Sequence, residues 1–405
     1  MNNPYPLRRN YGISPSAAAG LIAALIFFIA ANIFVVNRTH FGASFYSCWL
    51  SGRVLFAQGG DPYGADLFKQ TVAEYPNDPN VSGFVEPIYA MLLILPLTFI
   101  DNFKAALVIW MLLMEAALVY SGFKLKAALQ IDGKTFSGVT LAFLLIGGYY
   151  AVIAVLDGDI GIAAVMIFLM ALDAIRTHDD EYAGILLAFA SIKYGLTFLP
   201  TIWICIYCLS NRRGTVAGWM LMTLILLILL GMLFKTDWIL AFLRAVVYYY
   251  KYLNPSYFAE LIANWQPELG GRIGWGISGV LAFIMILEWI LNAHSGIRAF
   301  EWTTAMTITI SFLLGIPNIG KNLYALWIGL AYALDKCVLR WPLVGKRLRT
   351  GLTIIFTGLP WLVSLLSKEH WSNPINSLNI FLPFIVLGFL YWNRWWNIDS
   401  FVEPY

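Results

Sequence analysis

The sequence predicts an all-α polytopic membrane protein, a bundle of eleven to thirteen transmembrane helices with two large extracytoplasmic loops carrying amphipathic helices. Three observations predict it. Of 405 residues, 60% are hydrophobic and 12% charged, against about 25% charged in soluble domains. Apolar runs near the length a helix needs to cross a bilayer recur along the chain. The 16 Trp and 21 Tyr suit anchoring at two membrane interfaces.

The elements follow in order. Residues 17–36 form a continuous apolar run after Arg8 and Arg9. It is long enough to span and has no small-residue cleavage site behind it, so it reads as an uncleaved first transmembrane helix. The two arginines place the N-terminus in the cytoplasm. The first outer loop is then 37–82, with an amphipathic stretch near 44–57 suited to a membrane surface. The next segment, 84–100, is broken by Pro87 and Pro96 and reads as re-entrant or short, since only one crossing fits before Lys124. Further spans read as 105–123, 136–156, 160–175, 215–234, 272–293, 298–316, 321–338, 350–367 and 376–393. Segment 182–210 reads as a hairpin of two short helices with Lys193 at its tip, or as one long helix with Lys193 buried. A second outer loop covers 235–271, and 394–405 is a cytoplasmic tail. The basic connectors hold Lys124, Lys126, Lys134, Arg176, Arg212, Arg213, Arg298, Lys336 to Arg349 and Arg394. They fall on the cytoplasmic side, as positive charge in short loops does. The whole chain is one integral membrane domain of the plasma membrane, with both termini cytoplasmic.

Composition also excludes functions. A net charge of +3 is too small to direct the chain to nucleic acid. The four cysteines make no disulfide framework, and Cys205 and Cys208 lie in an apolar run, where helix packing explains them. Four histidines without paired spacing give no zinc motif. No metal or cofactor is expected.

The remaining polar residues carry the functional reading. When the chain is threaded, they gather on the extracytoplasmic side. Asp61-Pro62-Tyr63 follows two glycines and is a turn by composition. Glu86 precedes Pro87. Asp157-Gly158-Asp159 joins two spans, where Asp159 can cap the second. Lys193 can pair with a carboxylate or hold a phosphate. Asn318 to Asn322 begins a helix whose amides, with Lys321, favour a phosphate. Asn264 and Gln266 stand in the second outer loop and Arg272 beyond it. Glu115, Asp173, Glu288 and Asp335 lie within or near spans and are assigned to contacts inside the bundle.

The order of these signals resembles the family 87 glycosyltransferases of the GT-C class, membrane mannosyltransferases that use polyprenyl-phosphate sugars. Gly59-Gly60-Asp61-Pro62-Tyr63 is similar to that family's G-x-DPY pattern. Phe84-Val85-Glu86-Pro87-Ile88 resembles its F-x-YPP segment, and Gly158-Asp159 its GQ turn. The run from Ala183 through Gly184, Leu187 and Ala190 to Lys193-Tyr194 resembles AG-x-x-L-x-x-A-x-x-x-KP. Asn264-Trp265-Gln266 and Pro317-Asn318 are similar to later motifs, so the likeness covers about residues 40–340. The family's early outer-loop Asp, the acceptor's base, has no counterpart: the position falls on Ser44 or Phe45.

The resemblance implies a GT-C-like bundle and an inverting, metal-independent hexosyltransferase acting at the extracytoplasmic face. A hexose, with mannose expected, would pass from a polyprenyl-phosphate sugar to a lipid or glycan acceptor. Glu86, Asp61 and Asp159 are the candidate catalytic carboxylates. Lys193, Lys321 and Arg272 are candidates for the donor phosphate, and Tyr63, Asn264, Gln266, Asn318 and Asn322 for substrate contacts. Partners are the donor, the acceptor and membrane lipids, with no nucleic acid. The missing Asp leaves an alternative: an inactive protein of that fold that binds or transports a lipid-linked glycan.

Overall fold

A computed structural model of the chain describes residues 15–76, 81, 83–250, 266, 268–316, 320–366 and 376–396. Every regular element among them is helical. Helix α1 (Pro15–Arg38) runs into α2 (Ala43–Gln58), bent from it by 87°. Gly42 makes that corner with φ +103°, and a Cβ there would stand 2.7 Å from Leu107. The 44–57 stretch therefore does not lie free on a surface: Phe45, Cys48, Trp49, Ser51 and Leu55 are buried against protein. After the Asp61 turn comes α3 (Ala65–Glu74).

Residues 84–100 contain no spanning helix. A 3₁₀ stretch, Ile88–Leu93, and the single turn α4 (Leu95–Thr98) bury Ile88, Tyr89, Ala90, Met91 and Leu97. Asn102 then accepts from Ala105 N and starts α5 (Phe103–Ala128). Ser137 caps α6 (Gly138–Gly147), and the chain bends by 64° at Gly148 into α7 (Tyr149–Asp157). The expected straight span 136–156 is thus a broken one. α8 (Gly161–Arg176) follows.

Segment 182–210 is not a hairpin. α9 (Asp180–Ala190), one 3₁₀ turn (Ser191–Lys193) and α10 (Tyr194–Ser210) form one 31-residue helical segment, so Lys193 sits at mid-length and inside. The single hydroxyl proton of Thr197 is within reach of the carbonyls of Ala190 at 2.9 Å and Lys193 at 3.3 Å, serving an acceptor at the break. Next are α11 (Gly214–Phe234), α12 (Trp238–Tyr250), α13 (Gly270–Asn292) and α14 (Ile297–Leu313). A 3₁₀ stretch, Gly320–Leu326, leads into α15 (Trp327–Arg340), then α16 (Pro342–Leu366) and α17 (Asn376–Trp396). α16 starts earlier than expected and takes Lys346 to Arg349 into its first turns.

Burial separates the centre from the periphery. All residues of α14 from Ala299 to Leu313 and of α15 from Trp327 to Asp335 are buried, the pattern of a helix enclosed on every side. α11 and α13 instead expose Leu226, Leu233, Phe283 and Ile290, as lipid-facing helices do. Glycine lets neighbours close up: a Cβ on Gly184 would meet Val216 O at 2.4 Å, and one on Gly122 would meet Ala142 N at 2.5 Å. Among the described residues, five helices are long and apolar enough to cross a membrane, or seven with the two bent pairs counted as spans. That is fewer than the eleven to thirteen expected, in part because α8, α14 and α15 have only 16, 17 and 14 residues.

Candidate functional site

Five chain segments meet where their helices break, and each brings a polar side chain. α7 ends on Gly158, whose φ of +67° is the left-handed conformation that favours glycine. A Cβ there would lie 2.5 Å from Phe45 Cβ, and Trp110 Nε1 donates to Gly158 O at 2.9 Å. This closure presses Asp157 and Asp159 against the start of α2. Asp159 Oδ1 accepts from the backbone N–H of Gly161, the first residue of α8, at 2.7 Å, while Ile160 holds the cap position without a side-chain bond. Lys193 enters from the α9–α10 break, Lys321 from the 3₁₀ stretch before α15, and Glu86 from the extended chain before Pro87.

The charges interlock. Lys193 Nζ lies 2.7 Å from Glu86 Oε1 and 3.4 Å from Asp159 Oδ1. Lys321 Nζ pairs with Asp157 Oδ2, lies 3.3 Å from Asp159 Oδ2 and donates to Ser44 Oγ at 2.6 Å. Ser44 in turn donates to Asp157 through Oγ at 2.7 Å and through its backbone N–H at 3.1 Å. Asp159 bridges the two lysines and is fully buried, while Glu86 and Lys321 are each 6% exposed. Asp159 Oδ2 has no hydrogen bond despite its ionic contact with Lys321. Asn322 Oδ1 and Tyr324 OH are also buried without a hydrogen-bond partner.

These contacts set the protonation of the acids. Burial raises the Glu86 carboxyl above its ordinary value, and Lys193 offsets only part of that rise. Burial acts the same way on Asp159, but Lys193 and Lys321 together overcome it and hold that carboxyl well below the usual range. The cluster thus contains three carboxylates and two lysines, and among those acids Glu86 has its proton affinity raised and Asp159 lowered.

An aromatic wall adjoins the cluster. Tyr63 is buried, donates through its OH to Glu86 O at 2.9 Å and packs its ring on Phe84 and Phe242 at 5.4 and 6.1 Å. Tyr194, beside Lys193, also meets Phe242, and Tyr89 meets Trp238. α12 therefore closes this side with its aromatic face.

Of the expected site residues, the structure brings Glu86, Asp159, Lys193 and Lys321 together, with Tyr63 at the edge and Asn322 next to Lys321. Asp61 is apart from them. Its Oδ1 holds the Tyr63 turn at 3.0 Å, its Oδ2 lies 3.5 Å from Lys235, and its side chain is 47% exposed. Arg272 is exposed on α13 and takes no part in the cluster's ion pairs, and Gln266 is exposed. Asn264 and Asn318 lie outside the described residues. Sequence reasoning missed two members. Asp157 was read only with its neighbour Asp159, and Ser44 only as a missing acid. Their pairing across 113 residues left no local signal.

The acids assigned to bundle contacts have such partners: Asp173 with Lys124 at 2.6 Å, Glu288 with Arg394, Glu115 with Asn32 Nδ2 at 3.2 Å, and Asp335 with Asp132 N at 2.9 Å. Cys205 and Cys208 are free thiols in the packed α10, as expected. Among the described residues no group of His, Cys, Asp and Glu is arranged to hold a metal. Comparison with protein families, with curated proteins and with solved structures finds no match for the chain.

Proposed function

We propose that this protein is a membrane glycosyltransferase that moves a hexose, with mannose the first candidate, from a polyprenyl-phosphate sugar to a lipid or glycan acceptor. The observation that carries the reading is the buried cluster of Glu86, Asp157, Asp159, Lys193 and Lys321, assembled where helices break. Ionisable residues at such positions in a membrane bundle mark functional sites. The resemblance over residues 40–340 supports the choice of chemistry. In this reading the fold is a GT-C-like bundle in the plasma membrane. The cluster is assigned to the extracytoplasmic side.

The chemistry follows from the residue types. The acceptor hydroxyl oxygen attacks the anomeric carbon as the bond from that carbon to the phosphate oxygen breaks, inverting the centre. The hydroxyl proton passes to a carboxylate and the electron pair leaves with the polyprenyl phosphate. Glu86 fits the base, since burial raises its proton affinity above that of an ordinary carboxylate. Lys193 and Lys321 supply positive charge for the departing phosphate, where electrostatic stabilisation counts most. The one carboxylate in excess of lysine suits a site that must take up a proton. The faces of Tyr63, Tyr194 and Phe242 suit a sugar ring or an isoprenoid chain.

A second reading, a carrier of a lipid-linked glycan without turnover, is favoured by one observation: each carboxylate of the cluster already has a lysine partner. One experiment separates the two. Purified protein in nanodiscs is given radiolabelled polyprenyl-phosphate mannose and a panel of acceptors, alongside Glu86→Gln. Transfer by the wild type, lost in the variant, is the expected result. Donor binding with no transfer on any acceptor favours the carrier and overturns the enzyme.

A further inference from the structure

α15 and α16 meet in a sharp joint at Trp341-Pro342. Gly345 permits it: its N–H donates to Trp341 O at 2.7 Å, and a Cβ there would stand 2.6 Å from Cys337 O. The joint gathers three exposed cations, Arg340, Lys346 and Arg347, at one end of the bundle. Arg349 ties the α5–α6 connection to the same place by donating to Thr135 O at 2.6 Å and Lys134 O at 3.3 Å, which adds the exposed Lys134.

The nearby acids are engaged elsewhere: Asp335 lies 3.5 Å from Lys336 and accepts from Asp132 N, and Asp132 accepts from the Lys134 backbone N–H. From Cys337 to Ser367 the chain has no acidic residue. None of the ion pairs among the described residues includes Arg340, Lys346 or Arg347. The cations stand beside exposed apolar side chains: Leu343 is 80% and Val344 54% exposed. Trp341 stacks on Trp392 at 5.3 Å just behind them. α16 is long and apolar enough to cross a membrane, so its first turns lie at headgroup depth.

We infer that this basic and aromatic face binds the phosphate headgroups of anionic phospholipids in the surrounding bilayer. A lipid fits both halves of the surface, its phosphate against the cations and its acyl chains over Leu343 and Val344. A free phosphate, a nucleic acid or an acidic protein would meet the charge and leave the apolar half bare. The inference does not depend on the glycosyltransferase reading.

The test uses the full chain in detergent micelles doped with phosphatidylglycerol or phosphatidylcholine. Retained lipid is counted by native mass spectrometry, and the thermal unfolding midpoint is read in parallel. Each basic group near an anionic surface contributes about fivefold in affinity. The triple variant Arg340→Gln, Lys346→Gln, Arg347→Gln is expected to lose phosphatidylglycerol retention on the order of a hundredfold. Its midpoint in phosphatidylcholine should match the wild type, which shows that it folds. A control removing three exposed cations elsewhere, Arg38→Gln, Lys69→Gln and Lys104→Gln, should retain phosphatidylglycerol as the wild type does. Equal retention of both lipids by the wild type, undiminished phosphatidylglycerol retention by the triple variant, or the same loss in the control would each overturn the inference. Displacement of phosphatidylglycerol by millimolar inorganic phosphate would overturn it in favour of a free-phosphate site.

Discussion

Lys193 holds two buried carboxylates at once, and removing it shows what the cluster costs when incomplete. Lys193→Met leaves Glu86 without its partner and Asp159 with only Lys321. Breaking a buried pair in this way costs about 3–5 kcal/mol, so the denaturation midpoint in detergent should fall sharply. A loss under about 1 kcal/mol would mean that water reaches the cluster and screens it. Asp159 makes a second prediction through pH. Its folded carboxyl binds protons less readily than the unfolded one, so its contribution is complete above the ordinary carboxylate value of about 3.9 and is lost as pH falls below it. Thermal scans from pH 7 down to 3 should show an acid loss that is smaller in Asp159→Asn. The legibility of the site differs residue by residue. Asp159, Glu86 and Lys193 stood out because ionisable residues are rare beside apolar runs. Asp61 stood out for its motif and proves to hold a turn at the surface. Ser44 and Asp157 were hidden because a serine and a carboxylate distant in sequence announce nothing until the corner at Gly42 and the cap at Gly158 bring them together.

The α9–α10 segment shows how an element carries a charge to the centre without breaking the bundle. One 3₁₀ turn tightens the helix at Ser191–Lys193, and Thr197 serves an acceptor at the break. Thr197→Val keeps the shape and removes the donor, leaving the Ala190 carbonyl short of a partner at a cost of about 1–3 kcal/mol. Unchanged stability would show that another donor serves that carbonyl. Gly184→Leu tests the packing of the same segment, because α9 lies against the backbone of α11 with no room for a side chain. The variant should aggregate or lose several degrees in its unfolding midpoint, whereas Gly218→Leu on the open side of α11, where a Cβ meets nothing within 4 Å, should not. The sequence made helix existence plain through apolar runs and basic connectors. It did not disclose continuity. Short halves around Lys193 read as a hairpin because a lysine at mid-membrane depth is costly until its partners are known. The 136–156 run read as straight because two adjacent glycines, Gly147 and Gly148, do not say how far a helix will turn.

Across the whole molecule, the ion cluster and the basic connectors belong to opposite ends. Asp159 precedes α8 and Arg176 closes it, a separation of about 24 Å at 1.5 Å per residue. Arg176 there pairs with Glu301 at 2.7 Å, and Lys124 with Asp173 at 2.6 Å. If these ends face opposite sides of the membrane, cysteines placed at Lys69 and Lys346 should differ in intact cells. An impermeant maleimide should label Lys69→Cys directly and Lys346→Cys only after permeabilisation. Equal labelling of both would refute the topology. The same long-range assembly has a consequence for biosynthesis. Asp157 and Lys321 are 164 residues apart, so at 5–20 residues per second the acid leaves the ribosome about 10–30 s before its partner exists. During that interval its side chain stays in water or is shielded by the insertion machinery. The final packing of α7 against the 3₁₀ stretch Gly320–Leu326 therefore comes late, and a ribosome stalled before Lys321 leaves a nascent chain whose acids are exposed to quality control.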